Sequence, residues 1–424
     1  MVHVSIRATD KRISDEQLLE ALAKAIEGQN LKKILLLPSD MTRLHSYAGK
    51  ITVRYYLMLK ATCQVDIMPA LGTHDPMSEA ECLEYFGPEI PYSAFIPHRW
   101  KDDIVKIGTV PAEFVREVSE GLIDYPIDVE VNNRLLDTSY DLIISIGQVV
   151  PHEVVGMANY SKNIFVGCGG KTTIDRTHFL GAVYGMERVM GKDFSPVRKV
   201  FDYAETHFIR NMPLMYILTV TTVDAGEVNL EGLYIGRERF LFEKALEQSQ
   251  QRNLIFINRA PQKVVVYLDE REFKSTWLGN KSVYRTRMAI ADEGELLILA
   301  PGVRKFGEDA GIDALIRKYG YVGRLKILEA YKQNEDLQNN LSVAAHLIHG
   351  SSDGRFSITY AVEHLTRAEV EGVNFNYMPL SDTLARYNPA ELKDGWNTLP
   401  DGEEIFYISN PAINLWVDKK KFKA

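Results

Sequence analysis

Cysteine is scarce in this chain. Three thiols in 424 residues, Cys63, Cys82 and Cys168, stand far apart, and no CxxC occurs. That excludes a disulfide framework and disfavours a structural zinc knuckle. Positive charge is in deficit: 49 Lys and Arg face 57 Asp and Glu, a net charge of −8. A nucleic-acid binder relying on a general basic field is thereby disfavoured, as is a binder of anionic membrane surfaces. No apolar run approaches the roughly 20 residues of a membrane span. The first residues, MVHVSIRATDKRISDEQ, lack the apolar core of a signal peptide. Repeats and low-complexity tracts are missing too. What remains is ordinary globular composition, 46% hydrophobic and 25% charged. The expectation is a cytoplasmic protein of two or three domains, with no nucleic-acid or membrane partner.

Ser14-Asp15-Glu16-Gln17 forms a capping box ahead of a helical apolar period at Leu18, Leu19, Leu22 and Ile26. Lys33-Ile34-Leu35-Leu36-Leu37-Pro38 then reads as a strand apolar on both faces, as a buried parallel strand requires. Similar runs recur at 65–68, 141–146, 216–220 and 254–257, with helix-like segments between several of them. That alternation predicts an α/β fold with a mostly parallel sheet. A second series of strands, 263–268, 296–300 and 401–409, follows the polar, proline-containing stretch 258–262. The predicted layout is a large N-terminal domain over 1–260 and a smaller α/β domain over 261–401, with the active site in the cleft between them. The option that the final strand, about 402–424, returns to the first domain stays open. Lys419-Lys420-Lys421 reads as a solvated tail.

In open α/β sheets, ligands collect beyond the carboxyl ends of strands. Three such ends carry unusual polar groups: Pro38-Ser39-Asp40-Met41-Thr42-Arg43, Gly72-Thr73-His74-Asp75-Pro76 and Gly147-Gln148-Val149-Val150-Pro151-His152. Taken singly, each has a plainer reading. Asp40 and Arg43 could form an Asx turn with a salt bridge, His74 a turn, and His152 a satisfied core histidine. Three coincident clusters are more than loops usually provide. A small-residue stretch runs on from His152 through Gly156, Lys162, Gly167, Gly169 and Gly170 to Asp175-Arg176-Thr177-His178. It matches neither GxxxxGK[ST] nor GxGxxG, which disfavours ATP and an ordinary dinucleotide.

The order of these motifs resembles the nickel-pincer-nucleotide lactate racemase family, the α-hydroxyacid racemases and epimerases. Asp40-Met41-Thr42-Arg43 resembles that family's D-x-T-R segment, and Gly72 to Pro76 its G-x-H-x-P segment. His152, Lys162 and His178 resemble its H…K…H spacing. Gly279-Asn280-Lys281 and the LLILAPG run at 296–302 resemble its second half. The resemblance implies a nickel bound to a pyridinium mononucleotide with two sulfur-containing arms, supplied by cofactor-maturation enzymes. It would place the covalent tether at Lys162, the nickel ligand at His178 and the nucleotide against Asp40, Met41, Thr42 and Arg43. His74 and His152 would be the acid/base pair, with Arg43, Leu278 and Lys281 facing the carboxylate of a small-molecule 2-hydroxy acid. Two departures stand out. Leu278 replaces a glutamine of well-known members, and Ala158-Asn159-Tyr160-Ser161 replaces a more glycine-rich stretch. A substrate other than lactate is therefore expected, with Trp277, Tyr284, Arg285 and Arg287 offering an aromatic and cationic wall.

The residue chemistry agrees with these roles. The carboxylate destabilises a carbanion at the α-carbon, whereas hydride removal avoids one. Two bases are then needed, one for each hydroxyl orientation, and histidine, with its reference pKa of about 6.5, suits both. A guanidinium matches a carboxylate, an imidazole suits nickel, and a lysine amine can form a covalent bond. Rival readings are a nicotinamide-dependent hydroxy-acid dehydrogenase, a zinc hydrolase using His74, His152 and His178, and a non-catalytic homologue that binds hydroxy acid or cofactor. His346 and His349 could ligate a metal from one helix, but no third ligand or HExxH accompanies them.

Overall fold

The computed structural model describes residues 3–9, 11–224, 226–412 and 414–422. It divides into two compact units. Met1–Leu180 and Val189–Asn253 form the first, Gly181–Arg188 and Leu254–Ala424 the second.

The first unit is built on a six-stranded sheet of Val4–Arg7 (β1), Lys33–Pro38 (β2), Gln64–Ile67 (β3), Leu142–Gln148 (β4), Leu214–Asp224 (β5) and Glu227–Gly236 (β6). Their spatial order is β1-β6-β5-β4-β2-β3. The four strands from β3 to β5 are parallel, and β6 and β1 add an antiparallel edge. In β2, Ile34 and Leu36 join a core with Leu22 of helix Asp15–Ala25 and with Ile51 and Tyr55 of helix Ala48–Leu59. Leu35 and Leu37 point the opposite way and are equally buried. Coverage on both faces is why the strand reads as an unbroken apolar run. Ser14 caps the first helix with the expected box.

The second unit holds Lys263–Tyr267 (β7), Glu295–Leu299 (β8), Ser357–Val362 (β9), Asn376–Pro379 (β10), Gly395–Thr398 (β11) and Glu404–Ile408 (β12). Here the order is β10-β9-β8-β7-β12-β11, parallel except for the last pair. Val265, Leu297, Leu299, Ala361 and Tyr407 form the core on one face, beneath Leu380 and Tyr387.

Two features of the predicted layout change. The unit boundary falls at 253/254, because Leu254–Ile257 pairs in parallel with Leu415–Asp418. The option of a final strand returning to the first domain is not realised: β12 pairs with β7, inside the second unit. The terminal lysines are also not all solvated, since Lys421 turns back to the Ile290 carbonyl (3.0 Å). Among the described residues, no helix is long and apolar enough to cross a membrane.

Candidate active site

From β2 the chain passes to β3 on one side; from β4 it passes to β5 on the other. The two strands are neighbours and parallel, so the sheet's topological switch point lies between their carboxyl ends. Asp40 follows β2 by two residues, and His152 follows β4 by four. The 70–74 turn is drawn to the same edge by the Ala70 N–H, which donates to the Pro38 carbonyl (2.8 Å).

Asp40 is buried and makes no capping bond to the helical turn it precedes. One carboxylate oxygen accepts from the Thr42 hydroxyl (2.6 Å), the other from His74 Nδ1 (2.6 Å). Burial works to raise its pKa, but His74, Thr42 and Arg43 outweigh it and hold the carboxyl below its ordinary value. Against this carboxylate His74 Nδ1 is the donor, which leaves Nε2 as the nitrogen not engaged with Asp40. Asp40, expected at the nucleotide, is hydrogen-bonded to Thr42 and His74. Met41 packs against the apolar core. The Arg43 guanidinium is partly exposed and makes no ion pair or hydrogen bond among the described residues.

His152 is buried, and its Nδ1 accepts the Val154 N–H (3.2 Å). The Glu153 carboxylate lies 3.7 Å from the same nitrogen. Burial, reinforced by Lys162, Arg43 and His178, holds the imidazole well below its ordinary pKa, with Glu153 opposing. Lys162 makes no hydrogen bond or ion pair among the described residues; burial and the nearby Arg43 bring its pKa down to about 8. His178, on helix Lys171–Tyr184, donates Nδ1–H to the Ile174 carbonyl (2.7 Å). That bond leaves Nε2 as the lone-pair nitrogen, the arrangement typical of a metal-ligating histidine. Asp40, Arg43, His74, His152, Lys162 and His178 thus lie within electrostatic reach of one another in the first unit. Among the described residues, no three or more His, Cys, Asp or Glu gather as a ready metal cage.

Sequence reasoning missed the support beneath Lys162. Asn159 and Tyr160 adopt left-handed backbone, φ 64° and 57°. Such conformations cost energy in non-glycine residues and persist only where their surroundings enforce them. Arg198, fully buried, does so by donating to the Met157 carbonyl (2.7 Å), the Asn159 carbonyl (3.2 Å) and the Ser161 hydroxyl (2.9 Å). Tyr160 also stacks on Phe242 and bonds the Arg237 carbonyl (3.1 Å). The left-handed turn persists although this chain lacks glycine at both positions.

Leu278 and Lys281 lie in the second unit. Lys281 Nζ sits 3.3 Å from Glu272 and over the Phe273 ring. The expected aromatic and cationic wall is not free for a substrate. Tyr284 bonds His346 Nδ1 (2.9 Å), Arg285 is buried and donates to the Ala412 carbonyl (3.3 Å), and Arg287 pairs with Glu187 and Asp353. A helix in a tightly packed α/β layer buries these side chains, where the sequence suggested a site wall. His346 is a satisfied core histidine between Tyr284 and Tyr321, stacked on Trp277.

Fold and site define a two-unit α/β protein in which a buried aspartate holds a partly exposed histidine at the topological switch point of the first sheet. Residues 6–190, a little under half of the chain, match the lactate racemase N-terminal domain. Over 98% of its length the fold is similar to a crystallised protein from Thermotoga maritima, with 25% identity, a TM-score of 0.83 and 100% of that chain covered. It is also similar to the lactate racemase apoprotein of Thermoanaerobacterium thermosaccharolyticum, with 15% identity, a TM-score of 0.68, and 96% and 93% of the two chains covered. No curated protein matches.

Proposed function

We propose that the chain is a racemase or epimerase of a 2-hydroxy acid, acting by reversible hydride transfer with a nickel-pincer nucleotide. The observation that carries the reading is the Asp40–His74 pair facing the same strand ends as Arg43 and Lys162, two cations without partners among the described residues. The residues fit the cofactor: His178 has a fixed tautomer with Nε2 as the lone-pair nitrogen, and Lys162 is an amine made more nucleophilic by burial. When bound, the nucleotide supplies an electrophilic carbon that accepts and returns hydride.

The chain's own residues handle charge and protons. Arg43 binds the substrate carboxylate. His74 Nε2 takes the hydroxyl proton of one enantiomer, and Asp40 stabilises the imidazolium that forms. His152 serves the other hydroxyl orientation. With Nδ1 accepting from Val154, its Nε2–H donates to the substrate oxygen. In the other tautomer, with the proton on Nδ1 facing Glu153 in place of the Val154 bond, Nε2 is the base that takes the hydroxyl proton. Burial of His152 limits exchange of the transferred hydrogen with water on that side.

The test uses holoprotein co-expressed with the cofactor-maturation enzymes. α-Deuterated lactate, malate, 2-hydroxyglutarate, phenyllactate, branched hydroxy acids and sugar acids are followed by optical rotation and mass spectrometry. Hydride return retains deuterium in the inverted product; its replacement by solvent hydrogen would disprove the mechanism. Inversion of none of them would leave the non-catalytic reading.

A further inference from the structure

We propose that the second unit carries a binding site, separate from the switch point, for a small doubly charged oxyanion, a phosphate group or a compact dicarboxylate, held between Arg188 and Arg324. A cavity of about 220 Å3 opens there, and all its lining residues belong to the second unit. It is smaller than the roughly 300–1,000 Å3 of drug-sized ligand pockets, which suits a small ion. Its walls carry four guanidiniums, Arg188, Arg287, Arg324 and Arg355, against two carboxylates, Glu187 and Asp353. Asp292 lies behind Arg355 (2.8 Å), outside this lining, and also faces Lys421 (3.6 Å).

The carboxylates are unevenly placed. Glu187 bridges Arg287 (3.1 Å) and Arg355 (2.8 Å). Asp353 takes Arg287 (3.3 Å) and the backbone N–H of Arg324 (2.7 Å). The Arg324 guanidinium reaches only the Val183 carbonyl, at 3.4 Å, and no carboxylate among the described residues. Arg188 is held flat over the Tyr184 ring and donates to its hydroxyl (2.9 Å), which fixes the plane of its donor fork. Gly185 lies between the two arginines with φ at +107°. A Cβ there would stand 3.5 Å from Arg324 Nη1 and 3.8 Å from Arg188 Cδ. The missing side chain keeps the gap between the guanidiniums open. Planar guanidiniums match phosphate and carboxylate oxygens in pairs, and a concave site of one sign concentrates its counter-ion.

The test titrates the full chain with inorganic phosphate, sulfate and malonate against sodium chloride at matched ionic strength, by isothermal calorimetry and thermal melting. Saturable one-to-one binding is expected for at least one dianion. Phosphate and sulfate binding with malonate inactive assigns a phosphoryl-type ligand; malonate binding alone assigns a dicarboxylate. Arg324→Gln should weaken the affinity at least tenfold while its melting point without anion stays near that of the wild type. Glu187→Gln should tighten it severalfold, which a purely structural arginine cluster would not do. Absence of saturable binding in the wild type, or binding that Arg324→Gln leaves unchanged, overturns the proposal.

Discussion

A carboxylate behind an imidazole fixes which nitrogen is free, and here Asp40 fixes Nε2 of His74. Asp40→Asn should keep the fold but allow the wrong tautomer, lowering kcat by about 10- to 100-fold, in the range of lost orienting bonds; a pH–rate profile of the loaded enzyme checks it. His178→Ala should lose nickel, measured by metal analysis, while its circular dichroism stays unchanged. Lys162→Ala should lose any covalent mass adduct. An adduct at Lys171 would contradict that assignment, for Lys171 is paired with Asp175 one turn along its helix. At this scale the sequence reading was partial. Residue type at the strand ends singled out Asp40, Arg43, His74 and His152, whereas Lys162 and His178 were given roles only by the family resemblance. The partner of His74 was not legible, because Asp40 lies 34 residues away and meets it only through strand pairing.

Elements were legible where burial dictates composition. The apolar runs of β2 and β4 announce strands covered on both faces, and Ser14 announces its helix. The loop before Lys162 was not, since nothing in Ala158-Asn159-Tyr160-Ser161 signals a left-handed turn. Its support comes from Arg198, some forty residues on. Arg198→Met would leave two buried carbonyls and a hydroxyl without their donor. At about 1–3 kcal/mol for each unsatisfied buried group, partly relieved by rearrangement, about 3 kcal/mol of stability should go. Denaturant unfolding measures that loss. Asn159→Gly should lose far less, because glycine relieves the strained φ while removing one side-chain acceptor. The neighbouring Gly147→Ala is the contrasting case. Its methyl would fall 2.1 Å from Asn159 Nδ2, so the Asn159 side chain must turn away.

For the whole molecule, two α/β units were legible from the alternation of apolar runs, but their ends were not. Leu254–Ile257 looks like any other buried strand, and only its pairing with Leu415–Asp418, at the far end of the chain, assigns it to the second unit. Global stability should also carry a pH signature from the first unit. Glu205 is buried beside Arg237 (Nε–Oε1 3.9 Å), and its pKa is pushed up by burial, against the opposing charge of Arg237, to about 7 from an ordinary 4.5. Between those two values the folded chain binds a proton that the unfolded chain has released. The contribution of Glu205 is therefore fully present below about pH 4.5 and fades as pH rises through 7. At 1.36 kcal/mol per unit, the swing between pH 4 and 8 is at most about 3 kcal/mol. Glu205→Gln, neutral at every pH, should flatten that part of the stability profile and match or exceed the wild type at pH 8. Urea midpoints from pH 5 to 8 decide it. Parallel profiles for the two proteins would mean that Glu205 ionises in the fold as it does in water, with Arg237 fully offsetting its burial.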